Sequence, residues 1–211
     1  MIMKYKETPI GRIPEDWKVV RLGDVVRKIK AGGTPLTTNK DYWNGDVPFV
    51  KIEDIISSFK YLSKTTTFIS KKGLENSSAW IVPKNSLLLT MYGSLGELAI
   101  NTIPVATNQA ILGIIPKNEC NIDFLYYWFL HFKPRWRKFA KPTTQANLTA
   151  EIVRNILIPL PPLEEQRKIA EILSTVDKKL ELERKRKEKL ERIKKGLMND
   201  LLTGRRRVKV Y

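Results

Sequence analysis

Residues 163–203 form the sequence LEEQRKIAEILSTVDKKLELERKRKEKLERIKKGLMNDLLT, which contains no proline and is rich in strong helix formers. Apolar residues recur in it at intervals of three and four, the spacing of a coiled-coil seam. The apolar seam residues are Ile169, Leu173, Val176, Leu180, Leu190 and Leu197. The stretch therefore predicts one long helix that pairs with another helix.

The middle of this helix has no apolar residue on its seam. Glu183 and Lys187 occupy the two central seam positions, within the polar run ERKRKEK at 183–189. A helix that is polar all round is poorly stabilised by itself. At about 1.5 Å per residue, the helix is also about 60 Å long, more than a single small globule covers. Both features predict that it needs a partner.

The chain before residue 162 has a different pattern, in which short runs of β-type residues alternate with turns rich in Gly, Pro, Asn and Asp. The predicted strands are 47–52, 65–69, 86–92, 98–103 and 110–116. We therefore predict an α+β fold, in which a mixed α/β globule with a mainly antiparallel sheet precedes one long coiled-coil-forming helix. The predicted limits are 1–161 for the globule, 162–203 for the helix and 204–211 for a basic tail.

Two helices are predicted within the globule. The first spans 17–30, where four apolar residues from Leu22 to Ile29 lie on one helical face. The second spans 123–132 and is hydrophobic all round, which places it in the core. Pro134 then ends or kinks this helix.

The 211-residue chain has a net charge of +16, from 38 Lys and Arg against 22 Asp and Glu. An excess this large favours an anionic partner such as nucleic acid or a membrane surface. No apolar stretch approaches the roughly 20 residues of a membrane-spanning helix, so we favour nucleic acid. The single cysteine, Cys120, excludes an intrachain disulfide and is predicted to be a buried, inert thiol. These features predict a cytoplasmic protein.

The sequence lacks the patterns that DNA-modifying enzymes need. In GDVPFVKIED at 45–54, Lys51 precedes Glu53, whereas a metal-dependent nuclease needs the lysine after its second carboxylate. The glycines of GGTP at 32–35 and GSLG at 93–96 lack the phosphate-loop signature and are predicted turns. His131 is the only histidine, and so the single candidate base for a Ser-His-Asp arrangement. We predict no catalytic, metal or cofactor site on this chain.

Six short motifs follow one another in order along the chain. They are G-x-I-P-x-x-W at 11–17, GGTP at 32–35, YWNGDVPF at 42–49, GSLG at 93–96, TNQAI at 107–111 and PLPPLEEQRKIAEIL at 159–173. Together they resemble the specificity subunit of type I restriction-modification systems over nearly the whole chain. The sequence departs from the family pattern at Lys141 and Pro142, where a glycine is usual, and at Phe49, where tryptophan is common.

The resemblance implies a DNA-reading role. Full-length members carry two target-recognition domains, each followed by a helical conserved region, and this chain resembles half of that arrangement. The globule would then read one half of a split DNA site. The helix would pair antiparallel with that of a second copy or of another half-length subunit. Methylation and restriction subunits would assemble on this scaffold. Those subunits would bind S-adenosylmethionine, ATP and magnesium, and this chain would bind none of the three.

Base-reading residues are predicted in polar loops, because amide and hydroxyl side chains pair with base edges. The candidates are Thr34, Thr37, Thr38, Asn39, Lys40, Ser94, Asn108, Gln109, Thr143, Thr144 and Gln145. The candidate phosphate contacts are Lys28, Lys30, Arg135, Arg137 and Lys138. Each base-reading candidate has an alternative role in a turn or cap, and Asn108 and Gln109 are alternatively hydrogen-bonding scaffold residues. The aromatic residues on either side of Arg135 and Arg137 have the helical spacing of core residues, which is an alternative role for this segment. They are Phe132, Trp136 and Phe139.

Two other functions fit the same sequence. One is a coiled-coil assembly protein, or a truncated remnant, that no longer reads DNA. The other is a nuclease or methyltransferase that acts alone. Binding that falls steeply with salt would indicate phosphate contacts, and only discrimination between sequences would show base reading.

Overall fold

The structure, a computed structural model, describes residues 4–139 and 148–209. Its strands are β1 Tyr5–Lys6, β2 Ile13–Pro14, β3 Lys18–Arg21, β4 Val26–Ala31, β5 Trp43–Val50, β6 Tyr61–Leu62, β7 Thr67–Ile69, β8 Ser86–Thr90, β9 Leu98–Asn101, β10 Ala106–Thr107, β11 Ile111–Pro116 and β12 Leu157–Leu160. Its α-helices are α1 Ile52–Ser57, α2 Lys71–Glu75, α3 Ile122–Phe132, α4 Trp136–Phe139, α5 Ala150–Asn155 and α6 Leu163–Leu202. The chain divides into two compact units, Met1–Lys168 and Ile169–Tyr211. The domain limits given by the sequence, at 161 and 203, stay predictions.

The largest sheet has five strands in the order β4-β11-β8-β9-β6. Its pairs are antiparallel apart from β6 with β9, which confirms the mainly antiparallel sheet. Apolar residues are buried on both of its faces because α3 and α5 pack on one face while β5 and α1 supply the core on the other. Three smaller sheets among the described residues are β10-β5-β7, β1-β2 and β12-β3.

α3 confirms the helix predicted over 123–132. Phe132 and Trp136 are buried, with ring centroids 4.9 Å apart, so their core spacing was correctly interpreted. Phe139 differs, because it stays exposed while its ring lies 5.4 Å from that of Phe132. Phe132 and Trp136 therefore belong to the core, and the neighbouring Arg135, Arg137 and Lys138 are left at the surface.

The helix predicted over 17–30 is wrong, since the region forms β3, a 3₁₀ turn at Leu22–Asp24 and β4. Val26 and Ile29 are both buried although they are three residues apart. The cause is a β-bulge, in which Arg27 has no register partner on β11 and shifts the alternation of the strand by one residue. The bulge gives a strand the apolar spacing of a helix.

α6 confirms the predicted long helix, and its first turns lie within the first unit. Gln166 anchors it there with a side chain that is only 1% exposed. Its Oε1 accepts a hydrogen bond from the backbone N–H of Asn121 at 2.8 Å, and its Nε2 donates to the carbonyls of Glu119 and Pro161 at 3.0 and 2.9 Å. All polar atoms of this buried amide are therefore satisfied, as a specific docking contact requires.

Beyond Ala170 the apolar residues of α6 are exposed in the single chain. They include Leu173, Val176, Leu180, Leu190, Ile193, Leu197 and Leu201. Apolar residues from Leu190 to Leu202 line a shallow cavity of about 330 Å³ along the helix surface. An apolar stripe of this length on one helix indicates a surface that another helix covers. In the part of the chain that the structure describes, no helix is long and apolar enough to cross a membrane.

Candidate nucleic-acid interface

Three loops meet at one edge of the five-stranded sheet. Ala31 of β4 pairs with Leu112 of β11, Leu112 with Leu89 of β8, and Leu89 with Leu98 of β9. Two of these strands therefore end, and two begin, at the same edge. The loops there contain residues 32–39, 91–97 and 107–110, and we call this surface the loop edge.

The GGTP loop is held tightly against the TNQA loop. The N–H of Gly33 donates to the carbonyl of Thr107 at 2.9 Å, and the N–H of Gly32 donates to that of Ile111 at 3.0 Å. A Cβ on Gly32 would lie 2.0 Å from the Thr107 carbonyl oxygen, and one on Gly33 would lie 2.1 Å from Ser78 Oγ. Gly32 is therefore needed for the close backbone approach of the two loops, and Gly33 for the close approach of residues 78–79.

Gln109 is the centre of a polar cluster on the loop edge. Its side-chain oxygen accepts a hydrogen bond from Thr34 Oγ1, so the structure brings these two candidates together. Tyr92 is hydrogen-bonded to the same amide. Burial raises the pKa of Tyr92 above its ordinary value of 10.0, and the hydrogen bond with Gln109 opposes this rise. Because Gln109 is exposed, the cluster presents a preoriented amide at the surface, as base reading requires.

Other base-reading candidates have turn roles in the structure. Asn108 Oδ1 accepts a hydrogen bond from the N–H of Ala110 at 3.1 Å, and Asn39 Oδ1 accepts one from the N–H of Asp41 at 3.0 Å. Thr37 and Thr38 are exposed farther along the first loop, and Lys40 is exposed at the start of the 3₁₀ turn that follows it. Ser94 lies on the loop edge in the turn 93–96. The remaining candidates, Thr143, Thr144 and Gln145, lie outside the described residues.

Lys28 and Lys30 project from β4 over the ring of Trp80. Their Nζ atoms lie 4.1 and 5.9 Å from the ring centroid, within range of a cation–π interaction. Trp80 is held in place because its Nε1 donates to the carbonyl of Ala31 at 3.0 Å, and because Gly113 leaves room for its ring. Neither lysine has an acidic partner among the described ion pairs. Two cations held side by side favour an anion at this end of the loop edge.

The structure divides the basic residues after α3 into two groups. Arg137 lines a cavity behind the turn 93–96, whereas Arg135 and Lys138 line a separate groove with residues 9–13. The two sets of cations are carried by different elements. Lys28 and Lys30 lie on β4 beside Trp80, and Arg137 lies on α4 next to Trp136.

Sequence reasoning missed the roles of Trp80, Tyr92 and Gln166. Trp80 and Tyr92 contact residues distant in the chain, so local sequence patterns carry no signal for them. Gln166 lies within the motif at 159–173, but its contacts with residues 119 and 121 depend on the fold. Cys120 is buried as predicted, and burial together with the nearby charge of Glu119 raises its pKa to about 12. Within residues 4–139 and 148–209, no group of His, Cys, Asp or Glu side chains is arranged to hold a metal ion.

The fold and the loop edge define a class of protein: an α+β globule with a polar loop surface at one end of its main sheet, followed by one long helix. A family model described as the type I restriction modification DNA specificity domain matches residues 14–192. The chain belongs to this family.

Known relatives agree with this assignment. The chain is 35% identical over 193 residues to the MjaIX type I restriction enzyme specificity subunit of Methanocaldococcus jannaschii, covering 90% of this chain and 44% of the relative. It is 32% identical to the MjaVIII specificity subunit of the same organism, with 97% of this chain and 50% of the relative covered. The chain thus spans about half the length of the curated relatives it matches.

Solved structures share the fold. The HsdS subunit from Thermoanaerobacter tengcongensis superposes with a TM-score of 0.67 at 19% identity, covering 93% of this chain and 47% of that one. A chain from a structure concerning complex assembly and conformational transition of the type I R-M system gives a TM-score of 0.69 at 21% identity, covering 91% and 47%.

Proposed function

We propose that this chain reads one half of a bipartite double-stranded DNA site as the specificity component of a type I restriction-modification assembly. The observation that carries the proposal is the loop edge, where the Thr34–Gln109–Tyr92 cluster is exposed and neighbouring elements carry cations, Lys28 on β4 and Arg137 beside the turn 93–96. Cations contact phosphates and position the protein, while fixed amides read base edges. Membership of the DNA specificity domain family supports the same role.

The helix supplies the second half of the proposal. The exposed seam of α6 pairs antiparallel with the helix of a second copy, or of another half-length specificity chain, and holds two globules apart. A spacer of up to about 60 Å accommodates two recognition sites one DNA turn apart, which need roughly 34 to 36 Å. The relatives, which are about twice as long as this chain, support a functional unit with two such halves.

Catalysis in this proposal belongs to other chains. Methylation and restriction subunits dock on the paired scaffold and bind S-adenosylmethionine, ATP and magnesium, while this chain contributes recognition. We therefore expect the purified chain alone neither to methylate nor to cut DNA. The cytoplasmic location stays a prediction.

Selection from a random duplex library with the purified full chain tests the proposal. A homodimer should enrich two identical, inverted half-sites separated by a fixed spacer, because a two-fold protein reads a two-fold site. An asymmetric split site would exclude the homodimer and leave pairing with another half-length chain. Salt-sensitive binding without any enrichment would contradict base reading and favour the assembly-protein alternative.

Gln109→Ala should relax the sequence preference of the chain. The preoriented amide is lost, and a good amide-to-base pair contributes about 1 to 3 kcal/mol of discrimination. We expect the preference at one base pair of each half-site to fall about tenfold or more, measured by repeating the selection. Asn76→Ala, which removes an exposed amide at the end of α2, is the matched control. An unchanged preference in Gln109→Ala would remove this residue from the reading surface.

A further inference from the structure

A cavity of about 780 Å³ lies behind the turn 93–96, on the α3 side of the loop edge. Its charged lining residues are Lys133, Arg137 and Glu97. The Glu97 carboxylate lies 2.7 Å from Lys133 Nζ, so its charge is balanced within the cavity wall. Arg137 is exposed and adds a guanidinium that has no ion pair within residues 4–139 and 148–209. The cavity therefore carries a net positive charge.

Hydrogen-bond donors without acceptors line the same cavity. Among the described residues, the backbone N–H groups of Gly93 and Ser94 and the Ser94 hydroxyl donate no hydrogen bond. The turn is sharply bent, with Gly93 at φ +73° and Gly96 at φ +81°. Successive backbone N–H groups in a turn of this kind form a concavity that suits an anion.

Trp136 lies directly beneath this turn. It is 1% exposed, and its Nε1–H has no hydrogen-bond partner in the described part of the chain. A Cβ on Gly96 would lie 3.1 Å from this nitrogen, so the indole edge and the turn are packed against each other. A buried donor left unpaired is unfavourable. The indole N–H lies beneath the turn that forms this part of the cavity wall, so it is placed to report on changes in the turn.

We propose that this cavity binds one phosphate group of the DNA backbone. This inference rests on the proposed function, since bound DNA supplies the phosphate. Arg137 and the donors of Gly93 and Ser94 contact the phosphate oxygens, because a guanidinium fork and backbone N–H groups match their geometry. Lys133 is a positioning residue that neutralises Glu97 and prevents its repulsion of the phosphate. The contact fixes the register of the loop edge, and thus of Gln109, on the duplex.

Salt-dependent binding of the full chain to a random-sequence duplex tests the phosphate contact. Arg137→Gln should weaken binding equally for all sequences and reduce the slope of log K against log salt by about 1. Lys84→Gln is the control, since this exposed lysine precedes β8 at the opposite end of the strand and should change neither quantity. An unchanged slope in Arg137→Gln, or an equal change in Lys84→Gln, would overturn the proposal.

A second measurement without DNA separates this site from the proposed function. Titration with inorganic phosphate should shift the indole N–H resonance of Trp136, assigned by comparison with Trp136→Phe, and the shift should saturate. Arg137→Gln should abolish it, and potassium chloride at equal ionic strength should not cause it. The absence of a shift in the native chain would overturn the site. A shift without salt-dependent DNA binding would overturn both the proposed function and the DNA backbone as the source of the phosphate.

Discussion

Leu197→Glu is expected to convert a paired assembly of this chain into monomers. Leu197 is 43% exposed in the single chain and lies on the apolar seam of α6. Burying a leucine contributes about 1.5 to 3 kcal/mol, and a two-fold pair contains this residue twice. The substitution also places an unpaired carboxylate in an apolar interface, which adds an unfavourable desolvation free energy. The dissociation constant of the pair should therefore rise by at least about a hundredfold, measured by sedimentation velocity over a range of concentrations.

The matched control for this change is Asn199→Glu. It adds the same charge two residues farther on, about 200° around the helix, where the side chain faces away from the seam. This variant should remain paired. Monomerisation should also lower the helix content measured by circular dichroism, because the polar run 183–189 is poorly stabilised in a lone helix. A native chain that stays monomeric at every concentration would contradict the proposed pairing.

The long helix was the most predictable element, because its signal is local. The seam repeats through 163–203, and no distant contact is needed to recognise it. The same reasoning failed at 17–30, where the bulge at Arg27 gives β4 a helix-like spacing. Short elements such as β6, β10 and α5 were missed because they are too short to establish a period, and tertiary contacts define them.

The candidate site was only partly predictable for a related reason. The sequence singled out Thr34 and Gln109 as polar loop residues, but their contact spans 75 positions and depends on the strand order β4-β11. The sequence also indicated Lys28 and Lys30, yet not Trp80, whose ring is placed beneath them by Gly113 on a third segment. Asn108 and Asn39 show the opposite case, since a residue type suited to base reading also closes turns.

Gly32→Ala should be among the most destabilising single substitutions in the globule. A Cβ at this position would lie 2.0 Å from the Thr107 carbonyl oxygen and 2.4 Å from that of Asn108. Backbone atoms cannot rotate away as a flexible side chain does, so the GGTP and TNQA loops must separate. Overpacking of this kind is unfavourable by about 3 kcal/mol, which lowers Tm by roughly 6 to 12 °C in a chain of this size. The same displacement moves Thr34 away from Gln109, so sequence preference should fall together with stability.

Gly196→Ala is the matched control, because it makes the same chemical change where nothing lies within 4 Å of the new Cβ. Gly196 is exposed within α6, where alanine favours the helix by up to about 1 kcal/mol. Thermal unfolding followed by near-ultraviolet circular dichroism should show a lower Tm in Gly32→Ala and an equal or higher one in Gly196→Ala. If Gly32→Ala keeps both its Tm and its sequence preference, the close approach of the two loops does not organise the reading surface. A variant that keeps its Tm but loses its preference would instead place the Gly32 region in direct contact with DNA.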